Sequence, residues 1–253
     1  SVFLQTLSDV LGDYASTAAL DTFMAARTDR HLTELAGLRA ARLVLVPETE
    51  AGRSWAEARI KSITGGEKIR ANFMRQDHFE FLPQFKLVVA GNHRPTLSNV
   101  GEAMRRRLHL VPFTKTIPPE QRDHKLQQKL HAERNGILGW MIEGCSEWLR
   151  SGLAPPKVVL EAAEAYFRDE DIVSHWIAEC CSIGPDLKAT SQALYQSWSA
   201  WAQATGQAVG TSKSLGEALN QRGLRASKVS RMRGWQGIGL LRAGAEQGLE
   251  GEI

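Results

Sequence analysis

The chain has 253 residues, of which 43% are hydrophobic and 23% are charged, and its formal net charge is +3. This is the composition of a folded globular protein, and it excludes a disordered, collagen-like or disulfide-rich chain. No apolar run is long enough to span a bilayer, so we expect no membrane partner. The three cysteines have neither disulfide nor metal-site spacing, which predicts free thiols in a reducing compartment.

The first predicted elements lead to one short apolar strand. Residues 2–14 carry apolar side chains at helical spacing, and residues 21–38 are a loop followed by a second helix. Residues 42–50 then read RLVLVPETE. An unbroken apolar run such as LVLV is typical of a strand buried on both faces of a parallel sheet, and here Glu48 and Glu50 follow its carboxyl end.

Two further strands, a helix and a hairpin are predicted in the next part of the chain. A second continuous apolar run, FKLVVAG, predicts another buried strand, which ends at Asn92. The segment RRRLHLVPF predicts a third strand, entered through three arginines and stopped by Pro112. The predicted ranges are 54–64 for the helix, 68–81 for the hairpin, and 85–91 and 105–113 for the two strands.

The second half of the chain reads as helices and then as a small basic domain. A Gly- and Pro-containing segment at residues 151–157 is the best linker candidate. From residue 182 lysine and arginine outnumber acids, and helix, helix and basic hairpin is the layout of a winged helix. The predicted ranges are helices at 118–131, 135–149, 158–181, 189–205 and 212–221, two short strands about a Gly-Trp turn at 230–241, and a frayed tail at 243–253.

Polar groups that suit nucleotide chemistry follow the predicted strands in one order. Glu48 and Glu50 end the first strand, Asn92 ends the second, and the arginines at 105–107 come next. In open α/β sheets ligands bind outside the carboxyl ends of the strands, and neighbouring parallel strands bring those ends together. Carboxylates there hold hydrated Mg²⁺, an amide contacts the γ-phosphate, and a cation stabilises charge in phosphoryl transfer.

These blocks resemble a known family when taken together. The run ETEAG, then ARIKSITGGEKIRANFMRQDHFEF, then KLVVAGNHRP and then AMRRRLHLVPF is similar to the superfamily 3 helicase domain of phage and plasmid primase-helicases, which are AAA+ ATPases related to the poxvirus-type primase-helicase. The resemblance covers residues 1–150, and more loosely residues 151–242, where GWQGIGL resembles the winged helix that closes these proteins. The four blocks in order are specific, whereas each block alone is weak.

The resemblance implies an α/β fold with a AAA+ P-loop NTPase core of three layers. That core occupies residues 1–150, and an all-helical linker occupies residues 151–181. A C-terminal winged-helix DNA-binding domain follows at residues 182–242, and a disordered tail at residues 243–253. The implied activity is that of an ATP-dependent DNA helicase in phage or plasmid replication, located in the bacterial host cytoplasm.

The resemblance also implies a role for each residue near the nucleotide. Glu48 matches the Walker B acid, with Glu50 as the second candidate for the catalytic base. Asn92 matches sensor 1, and Lys61 is implied to lie near the nucleotide. Ser1 matches the last residue of the Walker A loop, so Ser1 and Glu48 are the implied Mg²⁺ ligands and ATP the implied substrate.

Arginines and a basic hairpin complete the implied machinery. Arg106 and Arg107 match the arginine finger supplied to the neighbouring subunit of a ring, which we expect to be a hexamer; we favour Arg107, since the two would point to opposite faces of a strand. The hairpin is implied to bind single-stranded DNA, and the winged helix to bind duplex DNA. The candidate DNA contacts are Lys68, Arg70, Arg75 and His78 in the hairpin, and Lys213, Arg222, Arg225, Lys228, Arg231 and Arg233 in the winged helix.

One part of the family pattern is missing. The chain contains no Gly-Lys dipeptide and therefore no G-x-x-x-x-G-K-[ST] loop to hold the phosphates. The expectation is that this loop and its lysine lie just upstream of Ser1 in a longer protein, in many relatives behind a primase, so that the fragment alone binds ATP poorly. The alternative hypothesis is a DNA-binding or initiator module with a degenerate core that does not hydrolyse ATP.

Overall fold

The structure is a computed structural model with a mixed α/β fold, and it divides into two compact units, Ser1–Tyr166 and Phe167–Ile253. Ser1, Glu48 and the predicted tail at 243–253 lie outside the residues that the structure describes. The described residues are 2–26, 32–47, 49–97 and 100–241.

The first unit contains helices around a small parallel sheet and a separate hairpin. Its helices are α1 (Val2–Leu11), α2 (Leu32–Ala36), α3 (Glu57–Ile63), α4 (Glu102–Arg105), α5 (Leu126–Ala132), α6 (Arg134–Ser151) and α7 (Lys157–Asp169), the last of which crosses the boundary between the units. Its strands are β1 (Ala15–Thr17), β2 (Leu43–Val46), β3 (Ile69–Ala71), β4 (Phe79–Phe81) and β5 (Lys86–Val89).

The parallel sheet has the strand order β1-β2-β5, which confirms both predicted strands. The expected burial of β5 is wrong: Lys86 is exposed and the other three residues are partly exposed, because β2 is its only neighbour among the described strands. All four residues of β2 are buried, because this central strand has a neighbour on each edge and apolar cover on both faces. Helix α1 places Leu4, Leu7 and Leu11 against the sheet, as its apolar spacing predicts. A 3-10 turn, Gly12–Tyr14, connects α1 to β1.

The predicted hairpin is also confirmed. Strands β3 and β4 pair antiparallel, with Arg70 opposite Glu80. Ile69, Ala71 and Phe81 are buried while Arg70 and Glu80 are exposed, so alternation along the strands separates an inner face from a solvent face.

The predicted third strand at residues 105–113 is wrong. Its first residue instead ends the short helix α4, which the buried side chain of Met104 anchors to the core. Residues 106–113 form no strand, and no described segment pairs with them. The physical reason is that an apolar run becomes a strand only where a neighbouring backbone supplies hydrogen bonds, which sequence pattern alone does not reveal.

Helix α6 is long and apolar but remains largely uncovered. The side chains of Trp140 and Leu149 are 66% and 73% exposed. The predicted helix at 118–131 is shorter than expected, since only a 3-10 turn, Pro119–Gln121, precedes α5. Within the described residues we find no helix that combines the length and the apolar character needed to cross a membrane.

The second unit combines three helices with an antiparallel sheet of strand order β6-β8-β7. The predicted helix at 158–181 is interrupted before Asp171, which caps the next helix by accepting a hydrogen bond from the Ser174 amide (3.1 Å). The helices predicted at 189–205 and 212–221 are confirmed. The elements are α8 (Ile172–Cys180), β6 (Cys181–Thr190), α9 (Ser191–Ala204), α10 (Ser212–Gln221), β7 (Arg225–Val229) and β8 (Met232–Leu240).

The predicted pair of strands about a Gly-Trp turn at 230–241 is wrong. Strand β8 runs unbroken through Gly234 and Trp235, and the turn lies at Ser230 and Arg231. The glycine is a packing position, because a β-carbon there would lie 2.6 Å from the carbonyl oxygen of Ala189 on the neighbouring strand. Pattern reasoning took glycine as a turn signal where the sheet needs a close approach.

Aromatic residues build the core of the second unit. Trp176 and Trp198 are buried and meet edge to face with ring centroids 5.8 Å apart, and Trp201 packs against them. Burial, together with the adjacent Cys180 thiol, raises the pKa of the Cys181 thiol to about 12. Cys181 is therefore an unreactive core residue at neutral pH.

Candidate functional site

The carboxyl ends of β2 and β5 lie side by side, as predicted. The strands pair in parallel with Val46 beside Val89, and the amide of Ala90 donates to the carbonyl of Val46 (2.9 Å). The loop that contains Glu48 and the loop that contains Asn92 therefore leave the same edge of the sheet together. This edge is the candidate site, because groups from both loops can reach one ligand there.

The described polar groups at this edge are an exposed carboxylate and an exposed amide. Glu50 is 74% exposed at its side chain, and Asn92 is exposed on the neighbouring loop. In the part of the chain that the structure describes, the Asn92 side chain has no hydrogen-bond partner, so its amide is available to a ligand. Glu48, the first candidate acid, lies outside the described residues.

An ion-pair cluster engages the second candidate acid. A guanidinium nitrogen of Arg53 lies 3.3 Å from a carboxylate oxygen of Glu50, and another nitrogen of Arg53 binds the Asp21 carboxylate. The Glu50 carboxylate therefore has a cation within contact distance, although most of its surface is exposed.

Asp21 and Thr49 are residues that sequence reasoning missed. Asp21 lies in a 3-10 turn that precedes the described part of α2, far along the chain from its partner Arg53. Thr49 lies between the two candidate acids, and its hydroxyl bonds to the backbone of His93 in the neighbouring loop. The only sequence signal for Thr49 is its position between two acids, which does not by itself indicate a hydrogen bond.

Lys61 occupies the last turn of α3. Its ammonium group lies 3.4 Å from the carboxylate of Glu57, one helical turn earlier, and its side chain is 36% exposed. This pair orients the lysine along the helix surface. Its implied place near the nucleotide stays a prediction.

The three arginines after α4 have different surroundings. Arg105 forms an ion pair with Glu164 (2.8 Å). Arg107 donates from Nε to the Thr64 hydroxyl (3.0 Å) and from Nη1 to the carbonyl oxygen of Ala103 (2.7 Å). Both guanidinium groups are therefore engaged by groups of the same chain.

Arg106 differs from both of its neighbours. It is exposed, and no hydrogen bond or ion pair engages its guanidinium group in the part of the chain that the structure describes. The reason for preferring Arg107, opposite faces of a strand, does not hold because these residues form no strand. On the contacts of the side chains, Arg106 is the better candidate to reach another subunit.

The β3–β4 hairpin presents its four candidate DNA contacts to solvent. Lys68, Arg70, Arg75 and His78 are all exposed. Arg75 lies at the tip with a φ of +60°, a conformation uncommon for a residue with a β-carbon. Because Arg70 faces Glu80 across the strands, the cations with no acid directly opposite are concentrated at the two ends of the hairpin.

The second unit carries a separate basic surface on its hairpin. Lys228 and Arg233 are directly opposite each other on β7 and β8, so two like charges share one face. Such a pair is destabilising unless an anion offsets it. Arg233 also lines a groove of about 320 Å³ with Lys213 and Trp235.

Two of the candidate DNA contacts in this unit differ sharply. Arg225 is exposed on β7, whereas Arg222 is turned inward. The guanidinium of Arg222 binds the Asp171 carboxylate, the Ser174 hydroxyl (3.1 Å) and the carbonyl oxygen of Ala218 (2.7 Å). Arg222 therefore holds α8 and α10 together, and its side chain is engaged within the unit.

The donor set at the sheet edge fits a hydrated magnesium ion. Mg²⁺ prefers oxygen ligands and is commonly held by one or two carboxylates with waters and phosphates. Glu50 and Asn92 carry such oxygens at this edge, although the Glu50 carboxylate also contacts Arg53. Within the described residues no group of three His, Cys, Asp or Glu side chains forms a metal cluster, so an all-protein metal cage is not found there.

Comparisons with known proteins connect this chain with helicases and with a family of unknown function. Residues 1–107 match a model described as a family of unknown function (DUF5906). The chain is 25% identical over 163 residues to "Putative helicase L207/L206" of Acanthamoeba polyphaga mimivirus, which covers 58% of this chain and 17% of that protein. It is 26% identical over 163 residues to "Putative helicase 022R" of Frog virus 3, which covers 57% of this chain and 17% of that protein.

The chain thus spans 17% of the length of these curated relatives. Among solved structures it is similar to the A form apo structure of the NrS-1 C-terminal region, with a TM-score of 0.48 and 10% sequence identity. That similarity covers 93% of this chain and 63% of the other.

Proposed function

We propose that this chain is the motor portion of an ATP-dependent DNA helicase of superfamily 3 that acts in phage or plasmid DNA replication. The observation that carries the proposal is the shared sheet edge, where the Glu48 loop and the Asn92 loop leave adjacent parallel strands. The similarity to two viral proteins named as helicases supports the same reading.

The proposed chemistry is hydrolysis of the γ-phosphate of ATP. Glu48 would hold Mg²⁺ together with the Ser1 hydroxyl, and the ion would neutralise charge on the phosphates. Glu48 or Glu50 would polarise the attacking water. Asn92 would contact the water and the γ-phosphate, since its amide is exposed at the same edge. Lys61 would contribute positive charge near the nucleotide.

The proposed assembly is a hexameric ring in which Arg106 acts in the neighbouring subunit's site. Its exposure and lack of contacts to described groups support this role. A cation at that position stabilises the charge that develops on the transferred phosphoryl group. Arg107 instead would stabilise the junction between α3 and α4 through its bonds to Thr64 and Ala103.

The proposed DNA contacts are in the two hairpins. The tip of the β3–β4 hairpin, with Arg75 and His78, would bind single-stranded DNA through phosphates in a sequence-independent, salt-sensitive manner. The order α8, β6, α9, α10, β7, β8 in the second unit supports a winged helix, with the β7–β8 hairpin as the wing. Lys213, Arg231 and Arg233 would then contact duplex DNA.

The test is DNA-stimulated ATP hydrolysis by the full-length protein, because this chain contains no Gly-Lys dipeptide. We expect Glu48→Gln to abolish hydrolysis and Arg106→Ala to lower kcat by about 10³-fold or more, the order of effect found when an arginine finger is lost. Arg107→Ala is the matched control and should reduce thermal stability more than kcat.

Two outcomes would contradict the proposal. If wild-type protein and Glu48→Gln hydrolyse ATP at the same rate, Glu48 is not the acid at this site. If full-length protein binds DNA but shows no ATP hydrolysis above background, the alternative of a non-hydrolysing DNA-binding or initiator module is favoured instead.

A further inference from the structure

The Thr49 hydroxyl ties the two loops of the candidate site together. Its Oγ1 donates a hydrogen bond to the carbonyl oxygen of His93 (2.6 Å) and accepts one from the amide of the same residue (3.3 Å). The hydroxyl of Thr49, in the loop between the two candidate acids, thus acts both as a donor and as an acceptor toward the backbone of one residue, His93, in the other loop. Asn92 is the residue immediately before His93.

Gly91 allows the loops to approach closely enough for these bonds. A β-carbon at position 91 would lie 2.6 Å from the Thr49 β-carbon and 2.7 Å from its backbone nitrogen. Both distances are shorter than real β-carbons show, and the second contact is to backbone that cannot rotate away. The glycine is therefore required by space, and the two loops behave as one packed unit.

The far end of the Asn92 loop is held by different contacts. The Tyr166 hydroxyl donates to the carbonyl of Pro95 and accepts from the indole of Trp55 (3.1 Å). The backbone of Thr96 bonds to Trp55 (3.0 Å) and to Arg53 (2.8 Å). Removal of the Thr49 hydroxyl would therefore free the end of the loop near Asn92 while the remainder stays anchored.

We propose that Thr49 is a positioning residue, which fixes the loop that carries Asn92 relative to the loop that carries the candidate acids. This inference rests on the proposed function, because it assigns Thr49 to the same ATP site. Thr49 lies between the two acids in the chain and bonds to the residue after Asn92, so it sets the distance between the two loops. When a substitution away from the reacting atoms displaces a catalytic group by about 1 Å, the rate can fall by about 10²-fold.

The experiment compares two substitutions in the full-length protein. Thr49→Val keeps the shape of the side chain and removes both hydrogen bonds, whereas Thr49→Ser keeps the hydroxyl. We expect Thr49→Val to lower kcat for DNA-stimulated ATP hydrolysis by about 10-fold to 100-fold, with the KM for ATP within about 3-fold of wild type. Thr49→Ser should restore most of kcat.

A second readout does not depend on activity. The His93 amide should exchange hydrogen faster in Thr49→Val than in wild type or Thr49→Ser, because its acceptor is lost. Thr96→Val is the matched control in the same loop, since its backbone bonds remain when its hydroxyl is removed. We expect that control to leave kcat and His93 exchange unchanged.

The outcomes separate this inference from the proposed function. Wild-type kcat in Thr49→Val overturns the positioning role, even if His93 exchange rises. Equal loss in Thr49→Ser and Thr49→Val also overturns it, because the hydroxyl would then be irrelevant. If the wild-type protein hydrolyses no ATP, the proposed function is wrong, and the catalytic part of this inference is wrong too. Hydrogen exchange at the His93 amide then still reports whether the Thr49 hydroxyl joins the two loops.

Discussion

The turn between β7 and β8 holds an arginine in a backbone conformation that favours glycine. Val229 pairs with Met232, so the turn consists of two residues, with φ values of +49° at Ser230 and +67° at Arg231. Two-residue hairpin turns with positive φ at both positions prefer glycine at the second. We therefore predict that Arg231→Gly stabilises the protein while it weakens DNA binding.

The magnitude follows from two opposing contributions. A left-handed conformation costs a residue with a β-carbon about 1–2 kcal/mol. Glycine loses more backbone entropy on folding, which costs about 0.5–1 kcal/mol. The difference predicts that Arg231→Gly raises the free energy of unfolding by about 0.75 kcal/mol, within a range of about 0–1.5 kcal/mol. Arg231→Ala is the matched control, because alanine removes the charge and keeps the left-handed conformation.

Two measurements check this prediction. Urea unfolding, monitored by tryptophan fluorescence, should give a higher free energy of unfolding for Arg231→Gly than for Arg231→Ala. The value for Arg231→Ala should be close to that of the wild type. Fluorescence anisotropy with a labelled duplex at several salt concentrations should show a slope smaller by about 0.9 in both variants, since one phosphate contact is lost. A Gly variant no more stable than the Ala variant refutes the turn argument, and unchanged slopes in both variants refute phosphate contact by Arg231.

Further predictions concern the second unit and the thiols. Arg222→Ala should lower the free energy of unfolding by about 1–2 kcal/mol, because it leaves a half-buried carboxylate without its cation, and it should leave the salt slope of DNA binding unchanged. Arg225→Ala should reduce the salt slope of DNA binding and leave the free energy of unfolding unchanged. An Arg222→Ala protein with wild-type stability and a reduced salt slope would contradict the assignment of Arg222 to a structural role. At pH 8 iodoacetamide should alkylate exposed Cys145 and leave Cys181 unmodified, since its raised pKa keeps it protonated until well above that pH; modification of Cys181 in folded protein, read by mass spectrometry, would contradict its burial.

The sequence predicted the sheet edge because its signals are local. The apolar run of β2 has no polar residue to face solvent and is fully buried, and a parallel sheet places its carboxyl end beside that of β5, although β5 itself is partly exposed. Glu50 and Asn92 then follow from their positions in the chain. The helices α9 and α10 were predictable for a similar reason, since apolar spacing and a polar N-cap lie within one short segment.

Other features needed the position of a partner far along the chain. The segment RRRLHLVPF has strand-forming residues, yet no described neighbour pairs with it, so its arginines lie beside a short helix instead. Arg222 reads as one basic residue among several, and only the fold brings Asp171 to it. Gly234 resembles a turn signal in the sequence, and only the close approach of Ala189 explains it.

What the sequence determined by itself is the composition of the site: which acids, amide and arginines stand at the ends of which buried runs. Burial of such runs can be predicted from the sequence, because burial of apolar side chains is the main driving force for folding and does not depend on one particular contact partner. What only the tertiary structure decided is which of those groups remain available. Arg107 and Arg222 are engaged by partners distant in the chain, whereas Arg106 and Asn92 are left exposed, and hydrogen bonds and ion pairs depend on distances that only folding sets.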